Sequence, residues 1–210
     1  MENFFSVKIQ GGNQMNRTEP IRKAADIEKF KNYYRFQKNN SRNYLMIVIG
    51  LNTALRVSDM LQLTWGDVYD FTNNRYKEHI RITEQKTGKY TQIYINDSII
   101  KALKYRMSEL KKINKTCKAK DYLFRSKKRN LPICRVQADR IIKEAAKESG
   151  ITSVVSCHSL RKTFGYRAWK NGIEEALLVN IFNHSTYNVT KRYLGIDQDE
   201  KDEVFKNINI

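Results

Sequence analysis

A single change of hydrophobic period narrows the possible folds of this chain more than any other property. Over most of the sequence apolar residues recur at helical spacing, but residues 79–83 and 90–95 alternate with a period of two. The six residues between these runs form a turn-like segment that contains Gly88 and two lysines. The pattern predicts a β-hairpin with a basic tip in a predominantly α (α+β) chain. With Asp67 and Val68 as a possible third strand, we expect a small three-stranded antiparallel sheet.

The other regular segments have helical periodicity and ordinary start and stop signals. Ser41 is predicted to cap the second helix, which is apolar almost all round and should therefore be buried. Gly150 and Gly172 are predicted to end two later helices. The predicted helices cover residues 26–38, 41–51, a short segment after Arg56, 98–112, 134–148, 158–171, 173–182 and an acid-first amphipathic tail from Asp197.

Length and charge bound the organisation and the partners of the chain. Its 210 residues suit one domain, predicted over residues 19–210 after a flexible lead-in at residues 1–18. The formal net charge of +17 favours polyanionic partners, and nucleic acid is the first candidate. A lysine-rich surface that only maintains solubility is the alternative.

Cysteine spacing and apolar runs exclude several classes of protein. The three cysteines, Cys117, Cys134 and Cys157, are widely spaced and form no CxxC pair, so neither a zinc site nor a disulfide framework is expected. The sequence has no secretory signal and no apolar run near the ~20 residues that span a bilayer. We therefore expect no membrane segment and a cytoplasmic location.

Two arginines, two histidines and a late tyrosine follow one another in an order that fits phosphate chemistry. Two guanidiniums can hold the non-bridging oxygens of a phosphodiester through charge-assisted hydrogen bonds, and an imidazole adds a donor. A tyrosine can attack the phosphorus and keep the bond energy in a covalent link, once its proton, with an ordinary pKa of ~10, is removed. The set predicts metal-free breaking and rejoining of a phosphodiester backbone; its members are Arg56, His158, Arg161, His184 and Tyr193.

Some of these roles have rivals in the same sequence. The leaving 5′-oxygen needs a proton donor, and either Lys86 or Lys89 at the hairpin tip suits that role. Tyr193 is preferred over Tyr166 and Tyr187 because of its spacing from the last histidine and the basic residues before it.

Asp59 lies one helical turn after Arg56 and is expected to orient its guanidinium. A surface ion pair of little energetic value is the alternative. Each histidine also has a structural alternative, and His79, which lies in a predicted strand, is expected to be structural.

Residues 53–61, 84–88, 157–164 and 183–193 together resemble the tyrosine recombinases, the phage integrase family. The first segment resembles the family's first arginine box and the second its hairpin lysine. The third resembles its HxLR box, and the fourth its final histidine-to-tyrosine box. The four motifs occur in order and with matching spacings over about residues 20–195, so the resemblance implies the family's helical catalytic domain.

The resemblance also implies a role for each residue. Tyr193 attacks the scissile phosphate and forms a 3′-phosphotyrosyl link, Lys86 protonates the leaving 5′-oxygen, and His158 assists proton transfer or positioning. No metal, ATP or other cofactor is implied, because the phosphotyrosine stores the bond energy for religation. The phosphate oxygens are held by Arg56, Arg161 and His184.

The implied partner is double-stranded DNA, with self-association into a tetramer on that DNA. Direct DNA contacts are expected from Lys86, Lys89, Lys162, Lys191 and Arg192.

The segment after the nucleophile docks on a neighbouring subunit in many members of the family. The alternative is that its apolar residues pack on their own domain; they are Val204, Phe205, Ile208 and Ile210.

The chain departs from the family pattern at several positions. Ala54 and Asn183 stand where the family commonly has glycine, and Asp59 stands where glutamate is more common. No separate core-binding domain is expected ahead of residue 19. A single domain would hold only part of the duplex, so we expect weak binding that falls steeply with salt.

Two other functions compete with site-specific recombination. A type IB topoisomerase shares the catalytic residues but relaxes supercoils alone, and relaxation without a preferred site would favour it. A non-catalytic DNA-binding protein on the same fold has no need of the late tyrosine.

Overall fold

The computed structural model describes residues 18–127 and 131–208. It confirms a mostly helical chain with small antiparallel sheets. The elements, in chain order, are α1 (Ala24–Asn32), a π-helical segment (Tyr33–Gln37), α2 (Ser41–Thr53), α3 (Val57–Leu61), α4 (Trp65–Val68), β1 (Tyr69–Asp70), β2 (Arg75–Tyr76), β3 (His79–Thr83), β4 (Tyr90–Tyr94), α5 (Asp97–Lys112), α6 (Arg135–Glu148), α7 (Cys157–Lys170), α8 (Glu175–Phe182), α9 (Tyr187–Leu194) and α10 (Asp197–Asn207).

Helix α2 forms the centre of the main core. Every residue from Ser41 to Gly50 is buried, as its all-round apolar pattern predicts, and the helix packs against α5 and α7. Its N-cap is Asn40 rather than the predicted Ser41, because the Asn40 side chain accepts a hydrogen bond from the backbone N–H of Asn43. Ser41 is the first helical residue instead, and its hydroxyl accepts a hydrogen bond from Arg106.

The predicted hairpin is present as β3 and β4, which pair antiparallel with His79 opposite Tyr94 and Thr83 opposite Tyr90. Ile80 on the inner face of β3 is fully buried, so the alternation of this strand fixes which side packs on the core.

The predicted third strand was wrong. Asp67 and Val68 lie in the short helix α4. At its start Thr64 and Asp67 form a capping box: the Asp67 side chain accepts a hydrogen bond from the backbone N–H of Thr64, and the Thr64 side chain accepts one from the backbone N–H of Asp67. Local capping therefore outweighs the strand propensity of Val68. Within residues 18–127 and 131–208, β1 and β2 form a separate two-stranded sheet.

A small second core joins the last helices to α7. Its buried members are Ala54, Tyr166, Phe182, Leu194 and Ile196. Gly165 on α7 makes the contact close, because a β-carbon at this position would lie 2.5 Å from Leu194 Cδ2 and 2.6 Å from Phe182 Cζ. The second core thus fixes α9 against α7.

Helix α10 follows the predicted acid-first pattern, with Asp197, Asp199 and Glu200 in its first turn. It buries none of its residues. Of the predicted lead-in at residues 1–18, residues 1–17 lie outside the described residues. No helix in the described part of the chain has the length and apolar character needed to span a bilayer.

Candidate active site

Arg161 is the most deeply placed of the predicted phosphate ligands, with 4% of its surface exposed. Its guanidinium donates hydrogen bonds to the backbone carbonyls of Ala54 and Phe182, the latter at 3.0 Å, and lies over the Phe182 ring at 4.7 Å. Burial lowers the pKa of Arg161, but an arginine remains charged at any working pH. The site therefore holds a fixed positive charge in a protected position.

The two carbonyls reach Arg161 because two helices end beside it. α2 ends at Ala54 with φ of 53°, and α8 ends at Asn183 with φ of 52°. The last carbonyls of a helix have no donor within the helix, so those of Ala54 and Phe182 are open to Arg161. Glycine adopts the left-handed conformation of Ala54 and Asn183 most readily, and asparagine tolerates it better than alanine does.

Arg56 is the N-cap residue of α3, and its partner is Glu84 in the hairpin loop, with 2.5 Å between Arg56 Nη1 and Glu84 Oε2. The same carboxylate oxygen accepts hydrogen bonds from Thr87 Oγ1 at 2.7 Å and Asn183 Nδ2 at 3.0 Å. Burial would raise the pKa of Glu84, but the hydrogen bonds from Thr87 and Arg56 hold it below its usual value. A charged carboxylate thus ties the hairpin loop to both α3 and the end of α8.

Sequence reasoning missed Glu84. Its position two residues before Lys86 was the available signal, because an acid in a basic hairpin tip needs a cationic partner.

The prediction that Asp59 orients the Arg56 guanidinium was wrong. Asp59 is buried, and its Oδ1 accepts a hydrogen bond from the backbone N–H of Gln85 at 3.0 Å. The carboxylate that pairs with Arg56 is Glu84, so Asp59 anchors the hairpin loop instead of the guanidinium. Its one-turn spacing from Arg56 did not decide the pairing, because the N-cap conformation of Arg56 is extended.

Tyr193 and His184 meet in the same pocket as Arg161. The two rings are 5.2 Å apart in an edge-to-face arrangement, and the Tyr193 ring also contacts Phe182. His184 Nδ1 lies 3.0 Å from Thr190 Oγ1, which fixes the imidazole. The Tyr193 hydroxyl is buried and has no hydrogen-bond partner among the residues that the structure describes.

Burial controls the protonation of both groups. It raises the pKa of Tyr193, and the charges of Arg161 and Arg56 oppose that effect without overcoming it. Burial lowers the pKa of His184, and the same two arginines lower it further. In this state the phenol is protonated and the imidazole is neutral at pH 7.

The two rival tyrosines lie elsewhere. Tyr187 donates a hydrogen bond to Glu200 Oε1 at 3.0 Å, and burial together with Glu200 raises its pKa. Tyr166 is buried beneath the guanidinium of Arg22, 4.9 Å from its ring centre. Neither makes the contacts with His184 that Tyr193 makes.

Lys86 and Lys89 lie on the exposed hairpin tip. The loop beneath them is anchored by Glu84 and by the contact of Gln85 with Asp59. The structure thus presents both lysines to solvent and leaves the choice between them open.

His158 is the second residue of α7, and its Nε2 lies 3.3 Å from Arg135 Nη2 on α6. Partial burial lowers the pKa of His158, and Arg135, Lys162 and Arg161 lower it further. Arg135 is a cation at this site that sequence reasoning did not identify.

The three predicted DNA contacts on α7 and α9 differ in exposure and in their partners. Lys162 is buried, donates to the Thr18 carbonyl at 2.6 Å and lies over the Tyr193 ring at 5.3 Å, so its assignment as a surface DNA contact was wrong. Lys191 pairs with Glu200 at 2.5 Å. Arg192 is exposed.

Metal ligands are not clustered in this part of the chain. Over residues 18–127 and 131–208, no group of three or more His, Cys, Asp or Glu side chains is placed to hold a metal ion.

Comparison with known proteins places these residues in a family context. The sequence profile of the phage integrase family matches residues 22–200. A probable integrase/recombinase of Bacillus subtilis, YoeC, is 37% identical over 192 residues, which cover 91% of this chain and 97% of the relative. Tyrosine recombinase XerH of Campylobacter jejuni is 28% identical over 166 residues, covering 79% of this chain and 44% of XerH.

Solved structures have the same fold. The XerA recombinase aligns with a TM-score of 0.70 at 20% identity over 93% of this chain and 66% of XerA. XerH in a post-cleavage complex with DNA aligns with a TM-score of 0.71 at 19% identity over 92% of this chain and 54% of XerH. The chain therefore spans nearly all of its B. subtilis relative but only about half of XerH.

Proposed function

Since this chain belongs to the phage integrase family of tyrosine recombinases, we propose that it cleaves and rejoins duplex DNA at specific sites through a 3′-phosphotyrosyl intermediate. The observation that carries the proposal is the pocket in which the Tyr193 hydroxyl is buried beside His184 and the Arg161 guanidinium. A phage or another mobile element is the proposed origin, and the cytoplasm, where its DNA lies, is the proposed location.

The proposed reaction begins when a scissile phosphate enters the pocket. Arg56, Arg161 and His184 hold its non-bridging oxygens, where negative charge develops in the transition state. The oxygen of Tyr193 forms a bond to phosphorus as the bond from phosphorus to the 5′-oxygen breaks. Lys86 gives a proton to that leaving oxygen. A second strand reverses these steps when its 5′-hydroxyl attacks the phosphotyrosine.

Loss of the phenolic proton needs a change from the resting state, because burial keeps the pKa of Tyr193 above its usual value. Arg161 and Arg56 already favour the phenolate, and His158 at the start of α7 assists the proton transfer. We infer that Arg56 keeps its ion pair with Glu84 when DNA binds and donates to the phosphate from its remaining N–H groups. The Tyr193 hydroxyl is buried and has no hydrogen-bond partner in the described residues, so an incoming phosphate oxygen would satisfy it.

The proposed assembly is a tetramer on DNA with the tail docked on a neighbouring subunit. Within its own chain α10 is held by polar contacts, namely Asp199 with Arg22, Glu200 with Lys191, and Glu203 with Lys170. Its apolar side chains stay exposed, with Phe205 at 79%. Exposed apolar residues on a helix that is anchored by its polar side favour contact with a second copy. Ile210 lies outside the described residues.

A covalent capture experiment tests the chemistry. A pool of nicked duplexes with random sequence around the nick is incubated with the protein, and adducts that survive denaturation are isolated and sequenced. Wild type should form an adduct, Tyr193→Phe should form none, and Tyr187→Phe should behave as wild type because Tyr187 lies outside the pocket. A Tyr193→Phe adduct at the wild-type level would refute the assignment of the nucleophile. Lack of any adduct on the whole pool would leave only a DNA-binding function.

The proton donor is tested with a substrate that carries a 5′-thiol leaving group. Lys86→Ala should lose cleavage of ordinary DNA and regain it on the thiol substrate, because a thiolate needs no protonation to leave. Lys89→Ala is the matched control from the same hairpin tip. If Lys89→Ala shows rescue and Lys86→Ala does not, the role belongs to Lys89.

A further inference from the structure

A second polar cavity lies at the end of α2 opposite the candidate active site. The 13-residue helix extends about 20 Å from Ser41 to Thr53 at 1.5 Å per residue. A contact between Asn52 and Asn96 places the start of α5 beside the end of α2, so the later part of α5 lies beside the start of α2. The cavity has a volume of about 530 Å³ between these two ends and the connector after α5. It is remote from Arg161.

Two guanidiniums line this cavity, one from each helix. Arg42 on α2 is 8% exposed and donates to Asn43 Oδ1 and to the carbonyl of Arg125 at 3.0 Å. Arg106 on α5 donates from Nη1 to Ser41 Oγ at 3.0 Å, and its Nε is buried with no hydrogen-bond partner in the described residues. All of these acceptors are neutral.

Neither arginine forms an ion pair with a carboxylate among residues 18–127 and 131–208. Asp121 also lines the cavity, but its Oδ2 accepts a hydrogen bond from the backbone N–H of Lys118 at 2.8 Å. Lys115 and Lys127 add two exposed cations to the rim. The lining residues thus include five cations and one carboxylate, and Glu109 on α5 also acts electrostatically on Arg106, so the cavity carries a net positive charge.

Placing two like charges side by side in a partly buried site, neither in an ion pair with a carboxylate, is unfavourable. Burial lowers the pKa of Arg42, and burial together with the nearby Arg42 lowers that of Arg106 to about 10. Both arginines remain charged at neutral pH, so their mutual repulsion destabilises the folded protein at this place. An anion would remove it.

We propose that the Arg42–Arg106 cavity is an anion site that binds the phosphate group of a ligand distinct from the scissile phosphate. Guanidiniums match phosphate oxygens bidentately and present donors only. The volume is within the range of small-molecule sites, so the phosphate belongs either to a small phosphorylated molecule or to a DNA strand that passes this end of the domain.

Pyrophosphate is the first probe, in a sulfate-free buffer of low ionic strength. Thermal unfolding of the full chain is followed for wild type, Arg106→Met, and Lys104→Met, which removes one charge from the exposed side of the same helix. Pyrophosphate should raise the Tm of wild type and Lys104→Met with saturation. Arg106→Met should unfold no earlier than wild type without the anion, because a like-charge repulsion is gone, and should bind pyrophosphate at least about tenfold more weakly.

The variant Arg56→Met distinguishes pyrophosphate bound in the Arg42–Arg106 cavity from pyrophosphate bound in the candidate active site. That variant should keep the Arg106-dependent rise in Tm, because Arg56 lies at the other end of α2. Equal shifts for Arg106→Met and Lys104→Met would show general charge screening and would overturn the proposal.

An intact 30-base-pair duplex distinguishes the two sources of the phosphate. If DNA supplies it, Arg106→Met should lower duplex affinity and reduce the salt slope by about one compared with Lys104→Met. If a small phosphorylated molecule supplies it, the two variants should bind duplex equally while only Arg106→Met loses the pyrophosphate effect. These measurements require no cleavage, so they remain informative if the proposed recombinase reaction is wrong.

Discussion

Arg161 is held by backbone carbonyls, whereas Arg56 is held by a carboxylate. The carbonyls of Ala54 and Phe182 leave the full charge of Arg161 available to an incoming phosphate. Glu84, which is 3% exposed, neutralises Arg56 in the resting state and fixes its direction. The two arginines that we propose as phosphate ligands are therefore in different states in this structure, and Glu84 is the residue that distinguishes them.

Glu84→Gln should lower the rate of adduct formation about tenfold, because the amide keeps its place but no longer holds the Arg56 guanidinium by charge. Glu84→Asp should restore part of the rate, which a general loss of structure would not allow. Glu78→Gln makes the same change of charge at an exposed position at the other end of β3 and should have no effect. A faster Glu84→Gln reaction would show that Glu84 competes with the phosphate instead of positioning Arg56.

The partly buried imidazole of His184 makes stability depend on pH. Its folded-state pKa is below the usual value, so the unfolded chain takes up a proton first as the pH falls. The contribution of neutral His184 is present above pH ~6.5 and is lost as the pH falls through its folded-state pKa.

Between pH 7 and 5.5, the free energy of unfolding of wild type should therefore fall more steeply than that of His184→Gln in urea titrations. Ser185→Ala, a change at the next and exposed position, should keep the wild-type slope. Equal slopes for wild type and His184→Gln would contradict the pKa assignment.

At the scale of elements, α9 carries Tyr193, the proposed nucleophile, and Gly165 of α7 sets the distance between the two helices. Leu194 and Phe182 occupy the space above Gly165, so the close approach of the helices brings Tyr193 to His184. An added methyl group must displace α9 or the end of α8.

Gly165→Ala should cost about 1–3 kcal/mol of stability and reduce adduct formation even well below its Tm. Gly50→Ala is the matched control, because its β-carbon would lie 2.4 Å from Leu160 Cδ1 at the interface of α2 and α7, away from α9. Both variants should be destabilised in urea, but only Gly165→Ala should lose adduct at equal folded fraction. Parallel losses in both would show that the spacing of α9 is not critical.

At the scale of the whole molecule, the net charge is +17, but the individual cations differ in whether they pair with an acidic side chain. Lys191 is paired with Glu200, whereas Lys89 lies on the exposed hairpin tip. A cation contributes to the salt dependence of DNA affinity only if its contact with a phosphate releases counterions from the DNA. Each such contact adds about 0.9 to the slope of log affinity against log salt.

Lys89→Gln should reduce the slope of log affinity against log salt by about one for a duplex of arbitrary sequence. Lys191→Gln removes the same charge and should change the slope less, because Lys191 already has an anionic partner. Fluorescence anisotropy at several salt concentrations measures both. Equal reductions would mean that DNA displaces Glu200 from Lys191.

Sequence patterns predicted the helical class, the hairpin and the order of the site residues, because hydrophobic period and capping are local properties. Helix α2 was recognisable as buried, and four spaced motifs identified the family. The error at Asp67 and Val68 arose from a capping box that competes with strand propensity over only two residues.

Long-range contacts lay beyond reach of the sequence. Arg56 pairs with Glu84, 28 positions away, and Lys162 is buried against the Tyr193 ring. Both contacts depend on how α3, the hairpin loop and α7 pack. The same holds for the meeting of Arg42 with Arg106, which requires α2 and α5 to run in opposite directions. Residue types and spacing fix which chemistry is possible, but the partner of each charge is chosen by tertiary packing, because electrostatic energy depends on distance and burial.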